Sequence, residues 1–382
     1  MRKIIAILLA FTLCFTSAFI CIAANGDHGE IFDYGFLDED ETIMYTVYED
    51  GTAFLEGNGE ADLSELWYYV ETLIIGEGIT DVIGASSDQV SKYVVDENNP
   101  YLSSDDDGVL YNKDKTVLIA VPGSHSDIYT VAGTVKTLRA YCFNECSFNE
   151  LIIPESVETI ESYAFSECSA NYIDLQGGIK VIPEYAFYQF KCKSIIIPES
   201  VERIEDNAFG HNPWYDYWWW LDYNFIEFIF VMNPECEIEG MTDDIKIIGY
   251  SNSKAQEFAK KNGNLFDSLD AGHNHIYLRR TVKEATCTEG GTYVYNCPCG
   301  NATPYTETIE AYGHSMDYDD PAADGNVYCR FCGLKADCTC ICHEAAKYNA
   351  LPLKSFIYKV YNFIWKLFKI NKECRCGYVY HY

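Results

Sequence analysis

Basic residues are scarce in this sequence, because 27 Lys and Arg stand against 58 Asp and Glu among 382 residues, for a formal net charge of -31. A chain this acidic repels phosphate groups, which excludes a nucleic-acid partner. The deficit is uneven: residues 25–342 hold 18 basic and 56 acidic residues, whereas residues 343–377 hold seven basic and two acidic ones. An acidic body is therefore followed by a basic tail.

The sequence also lacks the known motifs that contain catalytic residues. No stretch resembles a nucleophile elbow, a phosphate-binding glycine loop or an HExxH zinc helix. Cys and His are plentiful near the C-terminus, but a catalytic zinc site keeps an open position, whereas clusters with surplus ligands indicate structural sites. We predict a protein that is not an enzyme.

Long apolar runs are missing from the sequence beyond Ala24. Before that point Arg2 and Lys3 precede an uncharged apolar run over residues 4–22, and the small residues Ala23 and Ala24 come before polar sequence. This is the layout of a secretory signal. An uncleaved anchor is the alternative, because the run is close to the ~20 residues that span a bilayer. We expect residues 1–24 to be a signal peptide and the protein to be secreted or held at the cell surface.

Cysteines are unevenly distributed. Of the 17, two lie in the signal segment, five are scattered through residues 25–270, and ten fall in the last hundred or so residues. The odd total of 15 after the signal, with close Cys-x-Cys pairs, favours metal ligation over a complete disulfide framework, and leaves disulfides open.

Internal repeats are the clearest pattern. The dipeptide Ala-Phe recurs every 22 residues, and two apolar positions keep the same period. A single coil of this length cannot bury its apolar face alone, so neighbouring coils must stack. The sequence therefore predicts a β-rich solenoid. The repeating positions are Ala164-Phe165, Ala186-Phe187 and Ala208-Phe209; Val135, Val157, Ile179 and Val201; and Leu138, Ile160, Ile182 and Ile204.

One repeat unit can be interpreted residue by residue. Residues 151–153 form a short apolar β segment, which Pro154 ends because proline donates no ladder hydrogen bond. Val157 and Ile160 are spaced to turn back into the core, and Phe165 fills the interior between stacked layers. Each coil is therefore expected to contribute one strand and one phenylalanine to a continuous core.

Two cysteines keep the period of the repeat, Cys146 and Cys168. Cysteines aligned on adjacent coils can pair or bind metal. Because a free cysteine is readily buried as a small hydrophobe, we expect both to be core residues.

The pattern I-I-P-x-S-V-x-x-I-x-x-x-A-F-x-x-C at residues 152–168 resembles the BspA-like leucine-rich repeats of bacterial and protist surface proteins. Residues 70–79 are similar to the opening coil of that family, residues 96–113 to its hairpin insert, and residues 248–262 to its closing strand and helix. The resemblance implies a right-handed leucine-rich-repeat solenoid over residues 70–270, serving adhesion or protein recognition. It brings no catalytic residue.

A β-hairpin is expected before the solenoid. Residues 43–48 and 52–55 have strand character and flank the turn residues 49–51. We predict that residues 25–69 form an N-terminal cap, because the first coil would otherwise expose its core and a strand edge.

An aromatic segment follows the Ala208-Phe209 coil, where a loop insertion is expected. Exposed Trp and Tyr side chains there would bind sugar rings or a protein partner. The alternative is an aromatic cap folded over the last coil. The candidate ligand-binding residues are Trp214, Tyr215, Tyr217, Trp218, Trp219, Trp220 and Tyr223.

Residues 273–336 are rich in Cys and His and resemble small modules appended to secreted clostridial proteins, which are usually presumed to bind zinc. Thiolate and imidazole suit tetrahedral zinc, and a glycine after the second Cys lets backbone amides turn toward sulfur. Disulfides are the alternative, since Cys297-Pro298-Cys299 departs from Cys-x-x-Cys. The candidate ligands are His275, Cys287, Cys297, Cys299, His314, Cys329 and Cys332.

Residues 337–382 combine a second Cys/His set with a basic amphipathic helix. This ending is similar to a tail of exported clostridial proteins. Three interpretations stay open: a helix clamped by metal or disulfides, a contact with a membrane surface or the envelope, and a dimer helix. The candidate metal ligands are Cys338, Cys340, Cys342, His343, Cys374, Cys376 and His381.

These observations favour a secreted or cell-surface protein of bacterial type, used for adhesion and for recognition of a protein or glycan ligand. The alternative is a structural protein of the cell envelope, with zinc-stabilised C-terminal modules and no host ligand.

Overall fold

The computed structural model describes residues 28–66, 69–85, 89–123, 128–210, 226–242, 245–271 and 273–312. The chain divides into two compact units, a long β-solenoid of about nine turns and a shorter C-terminal unit, and each is described by itself. In the described residues, no helix has the length and apolar character needed to cross a membrane. The predicted signal peptide at 1–24, the aromatic segment at 214–223 and the tail at 337–382 lie outside the described residues.

The N-terminal end of the solenoid is an antiparallel arrangement of three strands, β1 (Ile31–Phe36), β2 (Ile43–Tyr48) and β3 (Thr52–Gly57). The β2–β3 hairpin confirms the predicted one, whereas β1 was not expected from the sequence. β3 then pairs in parallel with the first coil strand, at Leu55 and Ile75. The hairpin thus covers the end of the sheet and continues into it.

The coils alternate between two strand positions that form separate sheets. The remaining solenoid strands are β4 (Gly59–Asp62), β5 (Thr72–Ile75), β6 (Ile79–Ile83), β7 (Tyr93–Val95), β8 (Leu102–Ser104), β9 (Leu110–Asn112), β10 (Val117–Ala120), β11 (Ile128–Thr130), β12 (Thr137–Leu138), β13 (Ser147–Ile153), β14 (Thr159–Ile160), β15 (Ser169–Leu175), β16 (Val181–Ile182), β17 (Ser194–Ile197), β18 (Arg203–Ile204), β19 (Phe228–Val231), β20 (Glu237–Ile238), β21 (Lys246–Gly249) and β22 (Phe266–Ser268).

The register between coils follows the predicted period. Leu151 on β13 pairs in parallel with Ile173 on β15, and Thr137 on β12 with Thr159 on β14, so each partner lies one repeat period further along the chain. Strands β8, β9 and β10 are antiparallel, which confirms the hairpin insert.

The spacing changes beyond β17. Ser194 pairs with Phe228, which lies well over one repeat period further along the chain. The coil that includes residues 211–225 is therefore longer than the coils before it, as expected for a loop insertion.

A column of phenylalanines fills the centre of the repeat region. Phe143, Phe165, Phe187 and Phe209 are buried and stack with centroids 5.1, 4.6 and 5.3 Å apart. The alanine before each of the last three is also buried. These contacts confirm that the Ala-Phe positions form one core.

Cys146 and Cys168 are both buried in that core, which confirms the expected role as small hydrophobes. Burial raises the pKa of the Cys168 thiol well above its ordinary value. Such a thiol is protonated at neutral pH and has low nucleophilicity.

A buried asparagine closes one loop of the coils. The Asn99 side chain is fully buried; its Nδ2 donates to the carbonyls of Gly76 and Ile79 at 2.8 and 2.9 Å, and its Oδ1 accepts from the amides of Tyr101 and Leu102, each at 2.8 Å. One side chain thereby ties its own loop to the preceding coil.

The C-terminal end of the solenoid contains α1 (Lys254–Asn262), between β21 and β22. The Ser253 hydroxyl caps its first turn by accepting from the Gln256 amide, and Gly263 ends it in the left-handed region. Ala255 and Ala259 are buried against the core. The predicted closing strand and helix are confirmed.

The C-terminal unit contains an antiparallel sheet of three strands in sequence order, β23 (Leu278–Lys283), β24 (Gly291–Asn296) and β25 (Tyr305–Ile309). Its aromatic residues support one another, since Tyr295 and Tyr305 stack at 4.6 Å between centroids. The strand pairing therefore holds the residues before and after each strand in defined positions.

Candidate metal centre and recognition surface

The strand pairing of the small sheet brings histidines and cysteines together. β23 and β24 run antiparallel, with Leu278 opposite Asn296. The residues that precede β23 therefore approach those that follow β24. This places His273 and His275 beside Cys297 and Cys299, and we call these four residues the His/Cys cluster.

The geometry of the His/Cys cluster fits a zinc ion. Its four ligand atoms, one from each side chain, all lie within 4.8 Å of one another. Bond lengths of about 2.0–2.3 Å in tetrahedral zinc sites put ligand atoms roughly 3.3–3.8 Å apart, which is inside that limit. The rings of His273 and His275 lie 4.9 Å apart at 85°. Two imidazoles and two thiolates are a common structural zinc set.

The turn after Cys299 directs a backbone amide at sulfur, as the sequence predicted. Gly300 has φ of +70°, a conformation that favours glycine, and the Asn301 amide donates to Cys299 Sγ at 3.4 Å. Such a bond stabilises a thiolate. Burial raises the pKa of the Cys297 thiol, and a bound cation would oppose that shift because a coordinated thiol is deprotonated.

Three of the predicted ligands, His275, Cys297 and Cys299, belong to the His/Cys cluster, and His273 joins them without having been predicted. The signal for His273 was its position beside His275, with a single residue between them. Cys287 is buried but is not one of the four. The other predicted ligands lie outside the described residues: His314, Cys329, Cys332, Cys338, Cys340, Cys342, His343, Cys374, Cys376 and His381.

A row of tyrosines crosses three successive coils of the solenoid at the same position of each, and we call Tyr141, Tyr163 and Tyr185 the tyrosine row. Neighbouring rings stack with centroids 5.2 and 5.1 Å apart and planes at 10° and 17°. The spacing is close to the ~4.8 Å between strands, so the row follows from coil stacking. Tyr141, at one end, is 44% exposed, and the other two are partly exposed.

The backbone conformation at these three positions does not itself favour tyrosine. The three tyrosines have φ of 63°, 64° and 57°, and Asn207 takes the same position in the next coil with φ of 53°. Asparagine tolerates the left-handed region better than tyrosine does. The aromatic rings therefore occupy a position where a smaller polar residue fits the backbone at lower cost. Sequence reasoning missed this row, although its regular spacing was visible.

The predicted ligand-binding residues Trp214, Tyr215, Tyr217, Trp218, Trp219, Trp220 and Tyr223 lie outside the described residues. Strand β18 precedes this segment and β19 follows it, and β19 pairs in parallel with β17 of the preceding coil.

Three solved structures are similar to this chain. The pneumococcal vaccine antigen PcpA is 21% identical over 52% of this chain, with a TM-score of 0.38, and this chain spans 56% of that protein. A leucine rich cell surface protein from Faecalibacterium prausnitzii is 14% identical over 60% of this chain and 97% of its own, with a TM-score of 0.33. A leucine-rich repeat protein from Eubacterium ventriosum is 16% identical over 48% of this chain and 95% of its own, with a TM-score of 0.19.

No curated protein matches the chain. A family model does match part of it: residues 128–215 fit the BspA type Leucine rich repeat region in six copies. The matched range contains the phenylalanine column and the tyrosine row. The residues of this part of the solenoid are therefore similar to leucine-rich repeat regions of the BspA type.

Proposed function

We propose that this protein is a non-enzymatic recognition protein of the cell surface or the extracellular space, which binds protein or glycan ligands in adhesion. The stacking of similar coils carries the proposal, because it aligns exposed side chains in rows across the solenoid, as in the tyrosine row. Solenoids use such extended surfaces for binding. The BspA-type repeat region supports the same function.

The aromatic segment after Phe209 adds a second contact region to this proposal. Tryptophan and tyrosine supply large contact areas at low entropic cost, and loop insertions on one face of a solenoid are frequent sites of binding. The signal segment at 1–24 would export the protein, and the basic tail at 337–382 would contact the envelope or a membrane surface.

Saturable binding to an extracellular ligand is the expected result. Labelled protein is applied to immobilised extracellular matrix proteins and to a glycan array, with unlabelled protein as competitor. Replacing Trp218, Trp219 and Trp220 by Ser should lower the affinity on the order of tenfold or more, as for binding hot spots. The matched control replaces Tyr250, a tyrosine near the C-terminal end of the solenoid, by Ser. Folded protein without saturable binding to any probe would favour the structural envelope protein instead.

A second function, structural zinc binding, is favoured by the His/Cys cluster. Its four side chains supply a complete tetrahedral set, which leaves no open position for a substrate and suits a stabilising ion. Zinc held there would join the segment before β23 to the turn after β24, and so fasten the small sheet.

We expect the purified protein to contain zinc, and Cys297→Ser to lower the content by one ion per chain, because three ligands hold the metal far more weakly than four. Metal analysis by plasma mass spectrometry, on protein prepared without chelator or reductant, measures the content. Cys287→Ser is the matched control, since Cys287 is a buried cysteine of the C-terminal unit outside the His/Cys cluster. Equal zinc content in the two variants would show that the His/Cys cluster is not a zinc site. A Cys297–Cys299 disulfide in zinc-free protein would favour the disulfide interpretation instead.

A further inference from the structure

The tyrosine row lies in a strongly acidic part of the surface. The turns that carry it, residues 139–145, 161–167, 183–189 and 205–210, contain six acidic residues and one basic residue, Arg139. Arg139 is engaged by Asp81. Glu167 and Glu184 are exposed. Glu184 is near enough to the row to affect it: burial first, and then the charges of the neighbouring tyrosines and of Glu184, raise the pKa of Tyr163.

The surface is also rigid. Parallel backbone hydrogen bonds run from turn to turn: the amides of Tyr141 and Tyr163 donate to the carbonyls of Tyr163 and Tyr185 at 3.2 and 3.1 Å, and the Glu167 amide donates to the Tyr188 carbonyl at 2.9 Å. Tyr188 packs edge-on against Tyr163 and Tyr185, with centroids 5.7 and 5.9 Å away. The backbone and the rings are therefore held in place before a partner arrives, which reduces the entropic cost of binding.

We propose that the tyrosine row, with Glu167 and Glu184, is the docking surface for an arginine-rich segment of a partner protein; this deepens the proposed recognition function and rests on it. A guanidinium is planar, so one arginine of such a segment can stack on a phenol ring while another donates two hydrogen bonds to a carboxylate. Tyr141 is 44% exposed and offers the first ring for such stacking. The acidic body of the chain attracts basic partners over a longer range.

A lysine side chain can make only some of these contacts. Its ammonium group attracts carboxylates as a point charge but has no flat face to lay on a tyrosine. The surface should therefore discriminate between two peptides of equal length and charge, nona-arginine and nona-lysine. A neutral oligosaccharide would stack on the tyrosine rings, and its binding would not depend on the charge of the carboxylates.

The experiment measures fluorescence anisotropy of labelled nona-arginine and nona-lysine with the purified protein at low and physiological salt. Nona-arginine should bind on the order of tenfold more tightly than nona-lysine, and both should weaken with salt. Tyr141→Ser should weaken nona-arginine binding several-fold, about the worth of one stacking contact, and Tyr141→Phe should restore it. Tyr141 has one stacked neighbour in the row, so its loss leaves the coils intact; circular dichroism checks this.

A matched pair of charge variants separates local recognition from general attraction. Glu167→Gln with Glu184→Gln removes two exposed carboxylates from the segments that carry the row, and Glu155→Gln with Glu199→Gln removes two exposed carboxylates from a different part of the repeat. The first pair should weaken nona-arginine binding several-fold and the second pair less than twofold. Equal losses, or equal affinity for the two peptides, would overturn the proposal. Salt-independent binding of a neutral oligosaccharide that is lost in Tyr141→Ser would assign the row to glycans. Failure here with saturable binding to extracellular ligands intact would leave the proposed function standing without this partner.

Discussion

Phe187→Ala is expected to lower the free energy of unfolding by about 3–5 kcal/mol, the range found when a buried aromatic ring is truncated. Phe187 is fully buried between Phe165 and Phe209, 4.6 and 5.3 Å away, and Phe190 meets it edge-on at 5.3 Å. The coils on both sides are held by backbone hydrogen bonds, so they cannot close over the vacated volume. The cavity therefore persists, and the contacts of its lining are lost.

Urea denaturation followed by far-ultraviolet circular dichroism measures this loss. Tyr188→Ala is the matched control, because Tyr188 is the next residue and is only partly buried, with its ring edge-on against the tyrosine row. Its cost should be about 1 kcal/mol, as for one partly exposed aromatic contact. If Phe187→Ala were as stable as the unaltered protein, the predicted repeat register would be wrong.

Asn99→Ala should cost about 3 kcal/mol, the second largest effect expected in the solenoid, because each hydrogen bond it removes is worth about 0.5–1.5 kcal/mol net. The substitution removes four such bonds from a fully buried side chain, two to carbonyls and two from amides. Two of the backbone groups left behind, the Ile79 carbonyl and the Leu102 amide, are buried and would not be resolvated easily. The loop over residues 96–101 should loosen from the coil before it.

Asn98→Ala provides the control. Asn98 is exposed, and its side-chain amide donates to Asp96 in the same loop. Its replacement should change stability by no more than about 0.5 kcal/mol, as for most surface positions. Hydrogen exchange of the Tyr101 and Leu102 amides adds a local measurement: it should accelerate in Asn99→Ala and stay slow in Asn98→Ala. Equal stabilities for the two variants would show that the Asn99 bonds contribute nothing net.

Much of the solenoid could be predicted because its core obeys a period. Ala164, Ala186 and Ala208 recur at a fixed distance, and a fixed distance in sequence fixes which residues are neighbours in parallel coils. The hairpin was predictable for a related reason, since the turn containing Gly51 separates two β-rich segments. Strand β1 was not, because its apolar residues are mostly exposed and give no burial pattern.

The sites were harder to predict than the core. His273 enters the His/Cys cluster through the register of β23 and β24, and no sequence period encodes that pairing. Tyr141, Tyr163 and Tyr185 have the period of the repeat, but tyrosine suits both a core and a surface, so spacing alone does not show that the rings reach solvent. In both cases the sequence did not show which residues lie next to one another in the folded chain.

The constant 22-residue spacing of the phenylalanine column determines by how many residues such a protein can lengthen or shorten. Successive coils stack the same ring on one another, with Phe143 against Phe165 and Phe165 against Phe187. Gain or loss of one whole period therefore preserves the stacking of phenylalanines, whereas a change of any other size interrupts the column. Duplication within the gene would lengthen the molecule in steps of about 5 Å, one coil at a time. The length of the repeat region is thus a property that evolution adjusts in discrete units.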